Sequence, residues 1–227
     1  MAVTTPCPCP RLRSDRAVST NGAGAPAAAV AALAAPVLAE RDVRAVVDRE
    51  AAERAVCDLL GALGRDVREP GLCETPRRVA AAYAELLTHE PVALTTFPND
   101  AGYDELVVVR EIPFHSLCMH HLLPFHGVAH VAYLPGERII GLSKLARVVE
   151  LFARELQLQE RLTMQVADCL QEHLRPKGVG VVLEAEHLCM SLRGVQKAGT
   201  RTTTSALMGL LRDDARTRQE FLSLVRG

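Results

Sequence analysis

The sequence predicts an α+β fold, a set of antiparallel strands interrupted by two long helices. Leu145, Val148, Val149, Phe152, Ala153 and Leu156 recur at helical spacing, and a second helical stretch from Gln159 to Leu174 follows at once. Runs rich in β-branched residues flank this helical pair, Glu105 to Ile112 and His126 to Leu134 before it, Gly178 onward and Thr202 to Leu207 after it. At 227 residues, 48% of them hydrophobic and 23% charged, the chain can bury a sizeable core. No internal repeat stands out.

Residues 1–40 carry Cys7-Pro8-Cys9-Pro10 and the Ala-rich run from Ala23 to Ala39. Pro-punctuated Ala without branched or aromatic bulk does not fold alone, so this stretch reads as a disordered tail or linker. A signal peptide is the competing reading, because Arg11, Arg13 and Arg16 precede a mildly apolar run; Pro26 and Pro36 within that run oppose it. The remainder, residues 41–227, reads as one domain with a helical N-terminal part over 41–95 and the core over 96–227. From Arg41 to Leu63 a stripe of Val43, Val46, Val47, Ala51, Ala55 and Leu59 predicts a helix. A second helix opens at Thr75-Pro76, with Thr75 as cap and Pro76 in the first helical position, and buries Val79, Tyr83, Leu86 and Leu87. Arg77 and Arg78 sit in its first turn, where cations oppose the helix dipole; they are either solvated or part of an anion site.

The strands come next, the second of them ended by Pro135-Gly136. Ser143 is the expected cap of the helix that follows, and Pro176 stops the one after it. From Gly178 to Arg193 the pattern predicts a strand pair or one long strand, with Val179, Val181, Leu183 and Ala185 on one face. A last helix covers residues 215–225.

Several function classes drop out. Lys and Arg number 26 against 27 Asp and Glu, a net charge of -1, so a general nucleic-acid coating protein is disfavoured. Aromatic content of 4% with no Trp makes a poor base-stacking platform. No window is long and apolar enough for a membrane span. Seven cysteines, odd in number and scattered, point to a reducing compartment in which any special Cys serves metal or catalysis.

Two segments carry chemistry. In Cys118-Met119-His120-His121, Cys118 and His121 are three residues apart, a spacing at which a tight turn aims two ligands at one metal; a core Cys beside surface histidines is the plainer alternative. In His187-Leu188-Cys189, continuation of the preceding strand would place His187, Cys189 and Arg193 on one face, neighbours about 7 Å apart. Three Cys/His ligands with an open fourth position are the pattern of a catalytic zinc, and Cys118, His121 and Cys189 make such a set. His120 and His187 then remain beside the metal for proton transfer. Lys144 and Arg147 share a helix side near Ser143 and suit phosphate. Glu160 either complements a helix dipole or meets a ligand.

These residues resemble the GTP cyclohydrolase I family. The matching pieces are Thr75-Pro76-Arg77-Arg78, Cys118-Met119-His120-His121, Gly141-Leu142-Ser143-Lys144-Leu145-Ala146-Arg147, Gln159-Glu160-Arg161-Leu162-Thr163, His187-Leu188-Cys189-Met190, Arg193-Gly194 and Thr202-Thr203-Thr204-Ser205, in the family's order. The resemblance implies a tunnelling fold, a cytoplasmic homodecamer with sites at subunit interfaces, and conversion of GTP to formate and 7,8-dihydroneopterin triphosphate, the first step towards folate or other pterins. It implies Zn2+ on Cys118, His121 and Cys189, and His120, His187 and Ser143 as catalytic residues. Glu160 and Gln159 would hold guanine, and Arg78, Lys144, Arg147 and Arg193 would line the triphosphate region. No nucleic acid or membrane partner is implied.

One position departs. The family usually has Glu between the metal Cys and the His pair, where this chain has Met119. Met cannot accept a proton or orient a histidine by charge, so the rate is at issue while the metal ligands are intact; plain packing of Met119 in a tight gap is the alternative. Two other readings stand beside the main one. One is a specialised or non-catalytic GTP-binding paralogue. The other is a different tunnelling-fold enzyme acting on a pterin or deazapurine. His126 and His130 share a strand face but match no motif, and read as packing or surface histidines.

Overall fold

A computed structural model describes residues 47–226. The tail expected over residues 1–40 and the first residues of the helix expected from Arg41 lie outside the described residues. The described chain divides into two compact units, residues 47–85 and 86–226.

The first unit holds α1 (Arg49–Ala62) and α2 (Thr75–Leu86). Asp48 caps α1 by accepting from the Ala51 amide at 2.9 Å. α2 starts at Thr75 itself, one residue earlier than the cap reading, and the Arg78 amide donates to the Glu74 carbonyl. The cations of its first turn are offset locally, since the Arg77 guanidinium meets the Glu74 carboxylate at 2.7 Å. Arg78 is exposed on the same turn.

The second unit runs β1 (Thr96–Pro98), β2 (Val107–Cys118), β3 (Pro124–Leu134), β4 (Arg138–Ile140), α3 (Leu142–Ala153), β5 (Leu156–Gln157), α4 (Gln159–Leu174), β6 (Gly178–His187), α5 (Leu188–Ser191), β7 (Arg201–Gly209), α6 (Leu210–Asp213) and α7 (Ala215–Arg226). The main sheet has the order β5-β2-β3-β6-β7 and is antiparallel except for the short β5 beside β2; β1 and β4 form a separate pair. α3 and α4 cover one sheet face, as the tunnelling-fold resemblance implies. The face is apolar as read: Val179, Val181, Leu183 and Ala185 of β6 join Leu145, Val148 and Val149 of α3 and Leu162, Val166 and Leu170 of α4 in one core.

Three local expectations change. Gly141, not Ser143, is the N-cap of α3, with no side-chain capping bond; Ser143 is an exposed residue of the first turn. That helix ends at Ala153, so Leu156 belongs to β5. β2 runs on from Ile112 to Cys118 through a bulge at which Glu111 takes φ 56°. The bulge breaks the alternation that marks a strand. At Gly127 of β3 a Cβ would lie 1.8 Å from the Glu184 carbonyl of β6, so a side chain there would push the two strands apart. Their register pairs Phe125 with His187.

The opposite face carries a smaller cluster of Ala132, Val182, Leu211 and Phe221, under α6 and α7. Phe221 is fully buried, and Gly180 leaves the space its ring occupies. Phe221→Ala should lower stability by about 3–5 kcal/mol. Urea unfolding checks this, and a loss below about 1 kcal/mol would mean that α7 is not packed on the sheet.

Candidate metal and catalytic centre

The centre forms where β2 and β6 end on either side of the start of β3. Cys118 is the last residue of β2, and its amide donates to the Leu123 carbonyl at 2.9 Å, closing a turn. The His121 and Leu122 amides both donate to the Cys118 carbonyl, with Leu122 at φ 55°. The turn thereby swings the His121 ring back over Cys118, and His121 Nδ1 lies 3.6 Å from Cys118 Sγ. β6 stops at His187 rather than continuing to Arg193. A single helical turn, α5, follows, so Cys189 is not a strand-face neighbour of His187. The turn folds Cys189 inward instead, placing its Sγ 3.9 Å from that of Cys118. Both thiols are buried and free.

These separations fit a tetrahedral ion. Metal–sulfur bonds of about 2.3 Å and metal–nitrogen bonds of about 2.0–2.1 Å give tetrahedral edges of about 3.8 Å between sulfurs and about 3.6 Å between sulfur and nitrogen. The observed 3.9 and 3.6 Å match two of these edges, while the three residues whose ligand atoms all lie close to one another are Cys118, His187 and Cys189. A second imidazole reaches the same thiols, because ligand atoms of Cys118, His187 and Cys189 all lie within 4.8 Å of one another. Burial first, and then the adjacent Cys118, push the Cys189 thiol above its ordinary range. Two buried thiols this close hold as thiolates only with a cation between them.

His187 is the better held of the two imidazoles. Its ring stacks on Phe125, centroids 4.5 Å apart and planes 3° from parallel. Its Nε2 lies 2.8 Å from Gln159 Oε1. Burial lowers its pKa from the ordinary histidine value, and the nearby Glu160 carboxylate opposes that in part. Glu160 itself is exposed at the start of α4, next to the buried Gln159. Arg193 reaches the other imidazole, with Nη1 3.3 Å from His121 Nε2. The loop carrying Arg193 is tied to β6 through Glu186, whose carboxylate accepts from Ser191 Oγ at 2.6 Å and from the Gly199 amide at 3.1 Å.

The structure thus brings together Cys118, His121, Gln159, Glu160, His187, Cys189 and Arg193. His120 is exposed on the turn, its ring edge-on to that of His121 with centroids 6.1 Å apart. Ser143, Lys144 and Arg147 lie along α3, and among the described residues none of them makes a hydrogen bond or ion pair with the Cys/His cluster. Arg78 belongs to the first unit. Met119 is 40% exposed, so it does not fill a packed gap. His126 is exposed, whereas His130 is buried with its Nδ1 unpartnered and its pKa lowered by desolvation. Sequence reasoning missed Phe125 and Glu186, whose parts depend on strand register and a loop closure that no local pattern records.

The family described as GTP cyclohydrolase I matches residues 52–226. The protein "GTP cyclohydrolase 1" of Synechococcus sp. is 52% identical over 176 residues, 76% of this chain and 77% of that protein. The protein of that name from Mycobacterium tuberculosis is 52% identical over 185 residues, 79% of this chain and 92% of that protein. The one from Streptococcus thermophilus is 51% identical over 183 residues, 79% of this chain and 98% of that protein. Among solved structures, an archaeosine synthase QueF-Like in the apo form gives a shallow overlay, with TM-score 0.37 and 17% identity over 46% of this chain and 93% of that chain.

Proposed function

The chain belongs to the GTP cyclohydrolase I family, and from that premise we propose that it converts GTP and water to formate and 7,8-dihydroneopterin triphosphate. The observation that carries the reading is the buried Cys118–Cys189 pair at 3.9 Å with His121 Nδ1 at 3.6 Å and the His187 imidazole at the same sulfurs. Cys118, His121 and Cys189 would hold zinc. When bound, the ion supplies Lewis acidity that lowers the pKa of water from 15.7 to about 7.

The chain's own residues supply the rest. Ring opening requires water to add at C8 of guanine while N7 gains a proton. His187 takes a proton from that water and returns it to N7. Release of formate, opening of the ribose and closure of the pterin ring then need further proton transfers. His120, exposed and beside His121, carries these, with Ser143 near the ribose. Arg193, Lys144 and Arg147 bind the triphosphate, and Arg78 joins them in an oligomer whose sites lie at subunit interfaces, a decamer on this reading. The reaction is placed in the cytoplasm, where GTP is the common pool and the product enters folate or related pterin synthesis. No helix among the described residues is long and apolar enough to cross a membrane.

Glu160 accepts from guanine N1–H and the exocyclic amine. Adenine offers no such pair of donors, so the carboxylate selects GTP over ATP. Glu160→Gln keeps the shape and turns one acceptor into a donor. It should cost about 2–4 kcal/mol in kcat/KM. A variant that handles GTP within a few-fold of the parent would leave Glu160 as a helix-start carboxylate only. The direct experiment on the reading is incubation of the protein with GTP, followed by assays for formate and for a fluorescent pterin after oxidation. Absence of both products from zinc-loaded protein would overturn it and favour a GTP-binding paralogue.

A further inference from the structure

Gln159 is 2% exposed at the first position of α4, and every polar atom of its side chain is spoken for within the protein. Its Nε2 donates towards the Leu183 carbonyl at 3.1 Å, the Thr202 carbonyl at 2.9 Å and Thr204 Oγ1 at 3.1 Å. Two of these partners are backbone carbonyls, which only accept. The third is fixed as an acceptor by a chain of hydroxyls. Thr163 Oγ1 donates to the Gln159 backbone carbonyl at 2.7 Å. The Thr204 hydroxyl lies 2.7 Å from Thr163 Oγ1, whose proton is already committed, so Thr204 must donate there. Thr204 Oγ1 then has only lone pairs to offer Gln159. Three acceptors on one side determine which end of the amide points there: the NH2 group faces them and Oε1 faces His187.

A carbonyl oxygen 2.8 Å from a ring nitrogen demands a proton on that nitrogen. We propose that Gln159 is a positioning residue that holds the His187 ring with a hydrogen on Nε2, so that Nδ1 is the nitrogen left to exchange a proton. The proposal rests on the reading of His187 as the proton carrier of GTP ring opening and names the atom that does the carrying. Phe125 stacks on the ring and fixes its plane, which keeps Nε2 aimed at Gln159 Oε1. The Gln159 amide hydrogens are committed inside the protein and its side chain is buried, which separates it from the exposed Glu160 beside it. The orienting series starts in β7 at Thr204 and passes through Thr163 and Gln159 of α4 to His187 of β6. It therefore ties the tautomer to the packing of α4 on β6 and β7.

The test is solid-state 15N NMR of the zinc-loaded full chain labelled at histidine, with the His187 signals assigned by their loss in His187→Asn. The wild type should show a proton bonded to Nε2 and a bare, metal-free Nδ1. In Gln159→Leu, which keeps the volume and removes the acceptor, the two tautomers should mix. kcat for GTP should fall about 10–100-fold, as for partners that orient a functional imidazole, while KM stays within about two-fold. Thr204→Val, a milder change that removes one acceptor from the amide, should shift the tautomer in the same direction and serves if Gln159→Leu does not fold. A proton on Nδ1 in the wild type overturns the proposal. So does an unchanged single tautomer in a folded variant, or a raised KM with kcat intact, which would return Gln159 to guanine binding. A metal-bound Nδ1 overturns it differently, by making His187 a ligand. Failure of the wild type to make formate from GTP would sink the functional reading and leave the tautomer result standing.

Discussion

Cys189→Ser should remove both the proposed zinc and the activity while the fold persists. A Ser hydroxyl is not deprotonated near neutral pH and is a hard, weak partner for zinc, whereas the Cys thiolate is a principal ligand type. The substitution exchanges one atom in a buried turn and leaves both apolar clusters intact, so stability without metal should change little. Activity should fall by at least about 10²-fold, the upper end of what losing a mere ligand-orienting partner costs. The measurement is zinc per chain alongside turnover and the unfolding midpoint. Full zinc in the variant would sink the assignment of Cys189. The companion variant His121→Ala separates the two imidazoles that reach the thiols. His121 Nδ1 sits at a tetrahedral edge length from Cys118 Sγ, on an exposed turn where its ring otherwise meets only Arg193 and the edge of His120 among the described residues. His187 is held by Phe125 and Gln159. His121→Ala should therefore lose zinc, and retention of zinc there with loss in His187→Ala would exchange the two roles.

The sequence made the long-period features legible. The stripe from Leu145 to Phe152 and the odd-numbered alternation from Val179 to Ala185 each repeat often enough to outweigh local noise, and both face the main core. The Cys118-x-x-His121 spacing was legible because a tight turn is a local structure. Short elements were not. Two residues of β5, three each of β1 and β4, and four of α5 and α6 show no period; they exist because partners elsewhere in the chain pair with them or cap them. That is why the sequence pattern carries a strand or strand pair on to Arg193 and sets Cys189 on a strand face, where the structure has α5. The sequence pattern points to Ser143 as the cap because Ser is the better capping side chain, yet the backbone turns two residues earlier, at Gly141. The surroundings of Gln159 were illegible for a further reason. Leu183, Thr202 and Thr204 converge on it only through the β6–β7 register, which pairs Leu183 with Thr204.

The histidine pair gives the other large effect. Removing His187 or His120 should slow turnover by about 10²–10⁴-fold, the usual contribution of a positioned acid–base group. Neither is proposed as a ligand, so both alanine variants should keep zinc. The two should fail at different points, because their settings differ. His187 is clamped beside the thiols, next to Glu160 and hence to the purine, and its loss should stop C8 chemistry so that no formate appears. His120 stands exposed on the outer side of the turn, and its loss should let formate out while a ring-opened formamide or its deformylated successor accumulates in place of the pterin. Met119 sharpens the second case. With no carboxylate next to His120 in the chain, the proton that His120 moves has to come from water or substrate, so the later steps should limit the rate even in the parent. A time course of formate and pterin in parent and variants reads all of this at once. In the parent, formate should run ahead of pterin; in His120→Ala the gap should widen; in His187→Ala both should be absent. Parallel loss of formate and pterin in His120→Ala would remove the division of labour, and near-normal rates in both zinc-loaded variants would remove the acid–base mechanism itself.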